Sequence, residues 1–355
     1  MPGASPARQG PSHIAALDLF RAVAVLMVAT AHFGRAFPGP AAKFCADYGK
    51  LGVEVFFVIS GYVIPYSLAR AGYRWGWSWP ASRPLRVFAA KRFLRIHPPY
   101  LAAVALTLAI MLPWRHALGL PTGETWATVA RSLAYLHFPV DNPVFWSLLV
   151  EVEYYALVGL LFPLLAHRRQ AVAWASLLGL LLLARLSGEP GGAFHLPQYL
   201  PRFAAGFALF WLGEGRIGWK TFGALLAALW FWDHRSPEES ASLLAALGIV
   251  AMGRAGPGLT QHRALAPLFF LGTISYSLFL IHLPVGGKVL VLTQHVLVLG
   301  GAGGWAAPVS IVGFLAALAS AIGAAFLFHR YVESPCHRAS GQIRYKTDCA
   351  PLKRA

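Results

Sequence analysis

The chain has 355 residues, of which 57% are hydrophobic and 12% charged, with 30 Lys and Arg against 14 Asp and Glu. Soluble globular chains are about 45–50% apolar and about 25% charged. The composition therefore argues against a soluble enzyme, a disordered protein and a nucleic-acid partner. The formal net charge of +16 makes the placement of the basic residues informative.

Ten apolar stretches alternate with polar segments along the sequence. A helix needs about 20 apolar residues to cross a bilayer, so several of the stretches are short for full spans. We expect an all-α polytopic membrane protein with about ten transmembrane helices, because a membrane-spanning sheet would need a closed barrel. The stretches are 14–33, 51–69, 98–112, 144–166, 171–187, 199–213, 217–232, 241–253, 267–286 and 306–329.

The basic residues are distributed unequally between the segments that connect these stretches. If the N-terminus is cytoplasmic, 20 Lys and Arg lie in the inner segments and eight in the outer ones, mainly because of 70–97 and 330–355. This bias follows the positive-inside rule and predicts that both termini are cytoplasmic. We expect a cytoplasmic N-terminal tail (1–13), an integral membrane domain (14–335) and a basic cytoplasmic C-terminal tail (336–355).

The first apolar stretch carries three polar residues on one side of a predicted helix. Asp18 and Arg21 are three positions apart and therefore neighbours. Arg21 and His32 are eleven positions apart, about 20° past three full turns, so they share a face, with His32 roughly 16 Å closer to the outer end. Such groups at membrane depth usually face a bundle interior or a wet cavity. From spacing alone, anchoring of the helix ends explains them equally well.

Two further stretches carry polar residues. Ser147, Glu151 and Tyr155 recur at every fourth position and form one face of a predicted helix. Ser60 precedes Gly61, but a nucleophile elbow would need glycine at position 58, which is Val58. Small residues at 60 and 61 are better explained by close helix packing.

Five ionisable residues occur at similar depth in the outer halves of five different stretches. We interpret them as the lining of a polar cavity that opens toward the outer leaflet, with a purely structural network as the alternative. These residues are His32, Glu54, Glu151, Arg202 and His282.

Arg92 and Arg95 project together from the basic segment 70–97 because they are one helical turn apart. Two guanidinium groups on one face could bind phosphate bidentately. On this segment alone, anchoring to anionic lipid headgroups is the stronger explanation. No Walker A, HExxH, CxxC or Gly-x-Ser-x-Gly motif occurs, so we predict no metal site.

The sequence resembles the membrane acyltransferase-3 family, whose bacterial members O-acylate surface sugars, Nod factors and macrolides. The resemblance covers about residues 14–335 and rests on six motifs in the same order. The motifs are Leu17-Asp18-Leu19-Phe20-Arg21 leading to His32-Phe33, Gly52 to Tyr62, Arg92 to Tyr100, Trp146-Ser147-Leu148-Leu149-Val150-Glu151 to Tyr155, Ile274-Ser275-Tyr276 to His282, and Tyr331-Val332-Glu333-Ser334-Pro335.

The resemblance implies an integral membrane O-acyltransferase of the bacterial cytoplasmic (inner) membrane. His32 would be the catalytic histidine, with Arg21 as its partner on the helix and Asp18 beside it. Arg92 and Arg95 would bind acyl-CoA, by family habit acetyl-CoA, as a co-substrate on the cytoplasmic side. No permanently bound cofactor is implied.

We therefore expect acyl transfer to a hydroxyl of a sugar, glycolipid or macrolide, with His32 as general base. Glu151 would orient His32 or raise its basicity, and Tyr155, Ser147 or Arg202 would stabilise the oxyanion. Further cavity and support residues are Glu54, Ser60, Tyr276 and His282. A proton-coupled secondary transporter or flippase of a polar solute is the alternative, because carboxylates and histidine in a cavity also suit proton coupling.

Overall fold

The structure is a computed structural model that describes residues 11–73, 83–187, 195–232, 236–254, 262–299 and 306–345. All regular elements within these ranges are helical, as the composition predicts. The α-helices are α1 (Pro11–Phe33), α2 (Gly39–Gly49), α3 (Gly52–Arg70), α4 (Arg83–Ala117), α5 (Trp126–Leu133), α6 (Trp146–Leu165), α7 (Gln170–Ser187), α8 (Leu196–Gly213), α9 (Trp219–Trp232), α10 (Pro237–Arg254), α11 (Ala266–Thr273), α12 (Ser275–His282), α13 (Lys288–Leu299), α14 (Ala306–Phe328) and α15 (Ser334–Gln342).

Six helical segments within the described ranges are long and apolar enough to cross a membrane. Two shorter apolar helices, Gln170–Leu186 and Arg263–Thr273, accompany them. The prediction of a multi-pass, all-helical membrane protein is thus confirmed. The six segments are Ala15–Ala36, Gly39–Arg70, Arg83–Ala117, Pro143–Leu165, Ser275–Val296 and Pro308–Gln342.

Helical structure extends beyond the ten predicted stretches. Residues 39–49, expected in a loop, form α2, which packs on α1. Helix α4 begins 15 residues before the predicted stretch 98–112 and continues through Pro98 and Pro99. Its basic first half packs on α15, which supplies the tertiary contacts that keep it helical. Residues 288–299, also expected in a loop, form α13.

Close backbone contact joins α3 to α8. A Cβ at Gly206 would collide with the carbonyl oxygen of Val58, and a Cβ at Gly61 would collide with that of Phe203. This confirms the packing role expected for Gly61, whereas the hydroxyl of Ser60 donates to Glu151. Pro65 in α3 has no N–H to donate to the Gly61 carbonyl, and the hydroxyl of Tyr154 lies 3.3 Å from that oxygen and donates instead.

The buried apolar residues form two clusters, one around α3 and α6 to α10 and the other around α1, α4 and α12 to α14. Val53, Phe56 and Tyr276 pack against both clusters. All three also line the principal cavity. The cavity therefore lies where the two halves of the core meet, which is where side chains from distant parts of the sequence come together.

Candidate active site

A cavity of about 390 Å³ lies between α1, α3, α4, α6, α12 and α15. Nine of the thirteen residues that the sequence analysis singled out line it. These nine are Asp18, Arg21, Ser60, Arg92, Arg95, Ser147, Glu151, Tyr155 and Tyr276. The other four, His32, Glu54, Arg202 and His282, lie outside the lining.

Glu151 is the centre of a hydrogen-bond network in the cavity wall. Its Oε1 accepts from the hydroxyl of Ser60 at 2.7 Å and from the hydroxyl of Tyr155. The Arg92 guanidinium lies 5.5 Å from the centre of the Tyr155 ring, and its Nη2 donates to the hydroxyl of Ser67 at 2.9 Å. The face predicted for Glu151 and Tyr155 is confirmed, and it connects to the basic segment through Tyr155.

Asp18 and Arg21 pair as their spacing predicts, with Arg21 Nη1 donating to Asp18 Oδ1 at 2.8 Å. Helix α11 approaches this part of α1 closely, because a Cβ at Gly272 would collide with the backbone carbonyl of Asp18. The ion pair is thus held in the cavity wall by a tight helix contact. Its partners are committed to each other.

Arg92 and Arg95 differ from Arg21 in their electrostatics. Neither guanidinium forms an ion pair with any carboxylate in the part of the chain that the structure describes. Glu333, another acidic residue of the cavity lining, accepts from the hydroxyl of Ser277 at 2.5 Å, and Nδ1 of His329 lies 3.0 Å from the same carboxylate. The basic end of the cavity therefore carries positive charge that a bound anion can neutralise.

Glu333 is a cavity residue to which the sequence analysis assigned no role. It lies in the last of the six motifs, Tyr331 to Pro335, so the family resemblance already pointed to this part of the chain. His337, one helical turn further on, also lines the cavity. His337 was not predicted as a site residue because it lies in the predicted C-terminal tail, and nothing in the sequence indicates that α15 packs on α4.

His32 and His282 form a pair outside the cavity lining. His32 Nδ1 lies 2.9 Å from the Val28 carbonyl oxygen and 3.2 Å from His282 Nε2. His282 Nδ1 lies 2.9 Å from the carbonyl oxygen of Phe279. Carbonyl oxygens only accept, so each Nδ1 carries the proton. The one N–H of His32 Nδ1 is then shared between the Val28 carbonyl and His282 Nε2, and His32 Nε2 keeps its lone pair.

Two phenylalanines lie between the histidine pair and the cavity. Phe56 and Phe279 line the cavity, and their ring centres are 5.8 Å apart in an edge-to-face arrangement. The Phe279 ring centre lies 6.2 Å from that of His282. Apolar side chains thus divide the polar cavity from the pair, and no hydrogen bond joins Glu151 to His32 among the described contacts.

Glu54 and Arg202 belong to a third cluster, which ties α3, α8 and α10 together. Arg202 Nε lies 3.3 Å from Glu54 Oε2 and 3.7 Å from Glu239 Oε2. All three side chains are buried. The five groups interpreted as one cavity are therefore divided into three clusters. Glu239 was missed, because its charge at the start of α10 resembles ordinary helix-end placement.

The described residues contain no group of three or more His, Cys, Asp or Glu arranged to hold a metal ion. The chemistry that the site offers is that of imidazole, carboxylate, hydroxyl and guanidinium groups. A histidine with a free lone pair, beside a cavity that carries donors to an anion, suits group transfer between two substrates.

Comparison with known proteins identifies the kind of group transfer. The profile of the acyltransferase-3 family, described as an acyltransferase domain, matches residues 14–330. BcsY of Komagataeibacter xylinus, which carries the name of a membrane-bound transacylase, is 26% identical over 305 residues, covering 76% of this chain and 72% of that protein. No solved structure shows significant similarity to the chain.

Two further relatives are longer than this chain. YrhL of Bacillus subtilis strain 168, named for peptidoglycan O-acetyltransferase activity, is 26% identical over 322 residues, which cover 77% of this chain and 48% of YrhL. The O-acetyltransferase OatA of Staphylococcus aureus strain NCTC 8325 is 27% identical over 170 residues, 44% of this chain and 26% of OatA. The chain thus spans half or less of these two proteins. Its match over 14–330 shows that it belongs to the acyltransferase-3 family of membrane acyltransferases.

Proposed function

We propose that the protein transfers an acyl group, in the simplest case acetyl, from acyl-CoA to a hydroxyl of a sugar, glycolipid or macrolide. The observation that carries this proposal is the cavity that joins Arg92 and Arg95, which form no ion pair with a carboxylate of the described residues, to the Glu151 network. YrhL and OatA are named for O-acetyl transfer, which supports a hydroxyl acceptor.

The donor would bind with its phosphates at Arg92 and Arg95. Phosphate accepts bidentate hydrogen bonds from guanidinium groups, and these two guanidiniums project from one turn of α4 toward one cavity. The acyl-pantetheine arm would extend from this end past Ser60 and Tyr155 toward Phe56 and Phe279.

His32 would act as the general base. Its Nε2 would take the proton of the acceptor hydroxyl while the hydroxyl oxygen attacks the thioester carbonyl carbon. The tetrahedral intermediate would then collapse with cleavage of the carbon–sulfur bond, and the proton would pass to the leaving thiolate. His282 would accept a hydrogen bond from His32 Nδ1 throughout and so hold the ring in the tautomer that a base requires.

The cavity hydroxyls suit the support role that we propose for them. Ser60 and Tyr155 both donate to Glu151, so Glu151 would hold the wall beside the acyl arm, and it would not contact His32 directly. Arg202 is committed to two carboxylates and the Tyr155 hydroxyl donates to Glu151, which favours Ser147 as the donor to the oxyanion, after its hydroxyl turns away from the Val144 carbonyl. Arg21 with Asp18 would keep the inner end of α1 in place.

We also propose the membrane arrangement. Ten spans with both termini in the cytoplasm would place the basic segment 70–97, and with it Arg92 and Arg95, on the side where acyl-CoA is present. His32 would then lie toward the outer side. A bacterial cytoplasmic membrane satisfies both conditions.

Incubation of the purified protein with acetyl-labelled acetyl-CoA and a panel of muropeptides, glycolipids and macrolides tests the proposal. We expect thiol release that depends on the acceptor, with the label recovered on an acceptor hydroxyl. Movement of a solute across proteoliposomes with no consumption of acetyl-CoA would contradict acyl transfer and support the transporter alternative.

A further inference from the structure

The helix that carries His282 is interrupted two residues later by Pro284. Residues Leu283–Gly287 then form a π-turn before α13 begins. Proline has no N–H, so the carbonyl of Leu280 loses the donor that residue 284 would provide in an α-helix. Leu280 is completely buried, and a buried carbonyl without a donor destabilises the fold.

Asn142 supplies a donor to this carbonyl from the segment between α5 and α6. Its Nδ2 lies 2.9 Å from the Leu280 oxygen and 3.1 Å from Thr107 Oγ1. The Thr107 hydroxyl donates to the Ala103 carbonyl at 2.7 Å, so its oxygen is free to accept. Both N–H groups of the amide are thus used, and the amide orientation follows from the two acceptors. Asn142 and Thr107 are both completely buried.

Asp141 holds the same helical segment on the other side of Pro284. Its carboxylate pairs with Lys288, the first residue after the π-turn, and with Arg115 Nη2 at 3.0 Å. Asn142 therefore contacts the helix before its interruption at Pro284, and the adjacent residue Asp141 contacts it after the interruption. His282 lies between these two attachment points.

We infer that Asn142 is a positioning residue for acyl transfer: it replaces the donor lost at Pro284 and so fixes the backbone that holds His282 against His32. The inference rests on the proposed function, in which His32 is the base. Asn142 contacts neither imidazole and does not line the cavity, so it reaches the α12 backbone through the Leu280 carbonyl, while its second N–H ties it to Thr107 of α4. Tyr154 provides the same replacement at Pro65, where no histidine follows.

Asn142→Leu, Pro284→Ala and the double variant test the inference, with diethyl pyrocarbonate as the probe of His32 in detergent-solubilised full-length protein. The reagent modifies a neutral imidazole nitrogen that carries a lone pair. The rate at which His32 is modified therefore reports the lone pair at Nε2, and mass spectrometry measures this rate. We expect Asn142→Leu to slow modification of His32 about tenfold, because one lost hydrogen bond to a buried carbonyl has about this effect on an equilibrium. His262, which is exposed and lies outside the six apolar segments, serves as the internal reference.

Rescue of the modification rate by Pro284→Ala distinguishes a positioning role of Asn142 from a general loss of folding. Pro284→Ala restores an N–H for the Leu280 carbonyl, so the double variant should regain most of the wild-type rate at His32. Pro284→Ala should not rescue Leu290→Ala, which opens a cavity at a completely buried residue of α13. A wild-type rate in Asn142→Leu, or a loss that Pro284→Ala leaves unchanged, would overturn the inference. Modification by diethyl pyrocarbonate does not require acyl transfer. An inactive wild-type protein would therefore refute the proposed function, while the modification rates would still show whether Asn142 positions the α12 backbone.

Discussion

His32 Nδ1 and His282 Nε2 lie 3.2 Å apart, although 250 residues separate the two histidines in the chain. Helix α1 and helix α12 present the two rings to each other at a centroid distance of 5.1 Å. His282 Nε2 and the Val28 carbonyl together hold the proton of His32 on Nδ1. The contact also gives His282 a specific part in the proposed chemistry, as an acceptor that holds the base in its active tautomer.

His282→Phe tests this part directly. Phenylalanine keeps an aromatic ring but cannot accept from His32 Nδ1, so we expect acyl transfer to fall by about 10–100-fold, the range typical of partners that orient a functional histidine. The KM for acetyl-CoA should not change, because His282 lies outside the cavity lining. Steady-state kinetics provide both values. His295→Phe, at an exposed position, is the control, and a wild-type kcat in His282→Phe would contradict the role.

Arg92→Ala and Arg95→Ala test the proposed donor site. Each removes charge-assisted hydrogen bonds worth about 1.5–3 kcal/mol, so we expect the Kd for acetyl-CoA to rise by about 10–100-fold. Binding titrations at low and high salt measure the effect, and the salt dependence should weaken in both variants.

Arg86→Ala is the matched control for these two substitutions. Arg86 is exposed on the same helix and does not line the cavity, so its removal lowers the net charge equally. Equal loss of affinity in all three variants would indicate a general charge effect, and would contradict a specific phosphate site.

Gly206→Ala tests the contact between α3 and α8. The added Cβ would overlap the carbonyl oxygen of Val58, so we expect a loss of about 1–3 kcal/mol in the free energy of unfolding. Gly223→Ala in α9 meets no atom within 4 Å and should be neutral or stabilising by up to about 1 kcal/mol. Thermal unfolding in detergent compares the two. A Tm for Gly206→Ala at or above that of Gly223→Ala would contradict the close packing.

Asp141 makes the stability depend on pH. Burial raises the pKa of this carboxyl, but hydrogen bonds from Lys288 and Arg115 outweigh burial and leave the pKa below its ordinary value. The ionised carboxylate therefore stabilises the fold fully above the unfolded pKa of about 3.9, and this contribution is lost as the pH falls through the folded pKa.

Asp141→Asn should consequently lower the Tm at pH 7, because the amide leaves Lys288 and Arg115 without a carboxylate. The loss should amount to about 1.5–3 kcal/mol. The difference in Tm between wild type and variant should shrink between about pH 5 and pH 2. A difference that stays constant over this range would show that the carboxylate does not carry the pH dependence.

Local features of the site could be read from the sequence, because helical periodicity is a local property. The Asp18–Arg21 pair and the shared face of Glu151 and Tyr155 follow from spacings of three and four. The ten apolar stretches fall largely within helices for the same reason. Helix α2 (Gly39–Gly49) is too short for its helical periodicity to stand out from a loop in the sequence, so it was not predicted.

Contacts between distant helices could not be read, because a single sequence contains no information about which faces meet. The His32–His282 pair, the position of Glu239 beside Arg202 and the donation from Asn142 to Leu280 all depend on tertiary packing. The depth argument grouped five ionisable residues as one cavity lining, whereas the structure places them in three separate clusters. Helical periodicity predicts the position of a residue along its helix, but it does not predict which residues of other helices contact it.

The role of His32 is tested most directly by one comparison in the same preparation. Purified His32→Ala is titrated with acetyl-CoA and then assayed for thiol release in the presence of the hydroxyl acceptor that supports turnover in the wild type. We expect wild-type affinity for acetyl-CoA, since His32 lies outside the cavity lining, together with a loss of about 10²–10⁴-fold in rate. Acyl transfer at the wild-type rate by His32→Ala would contradict its assignment as the base.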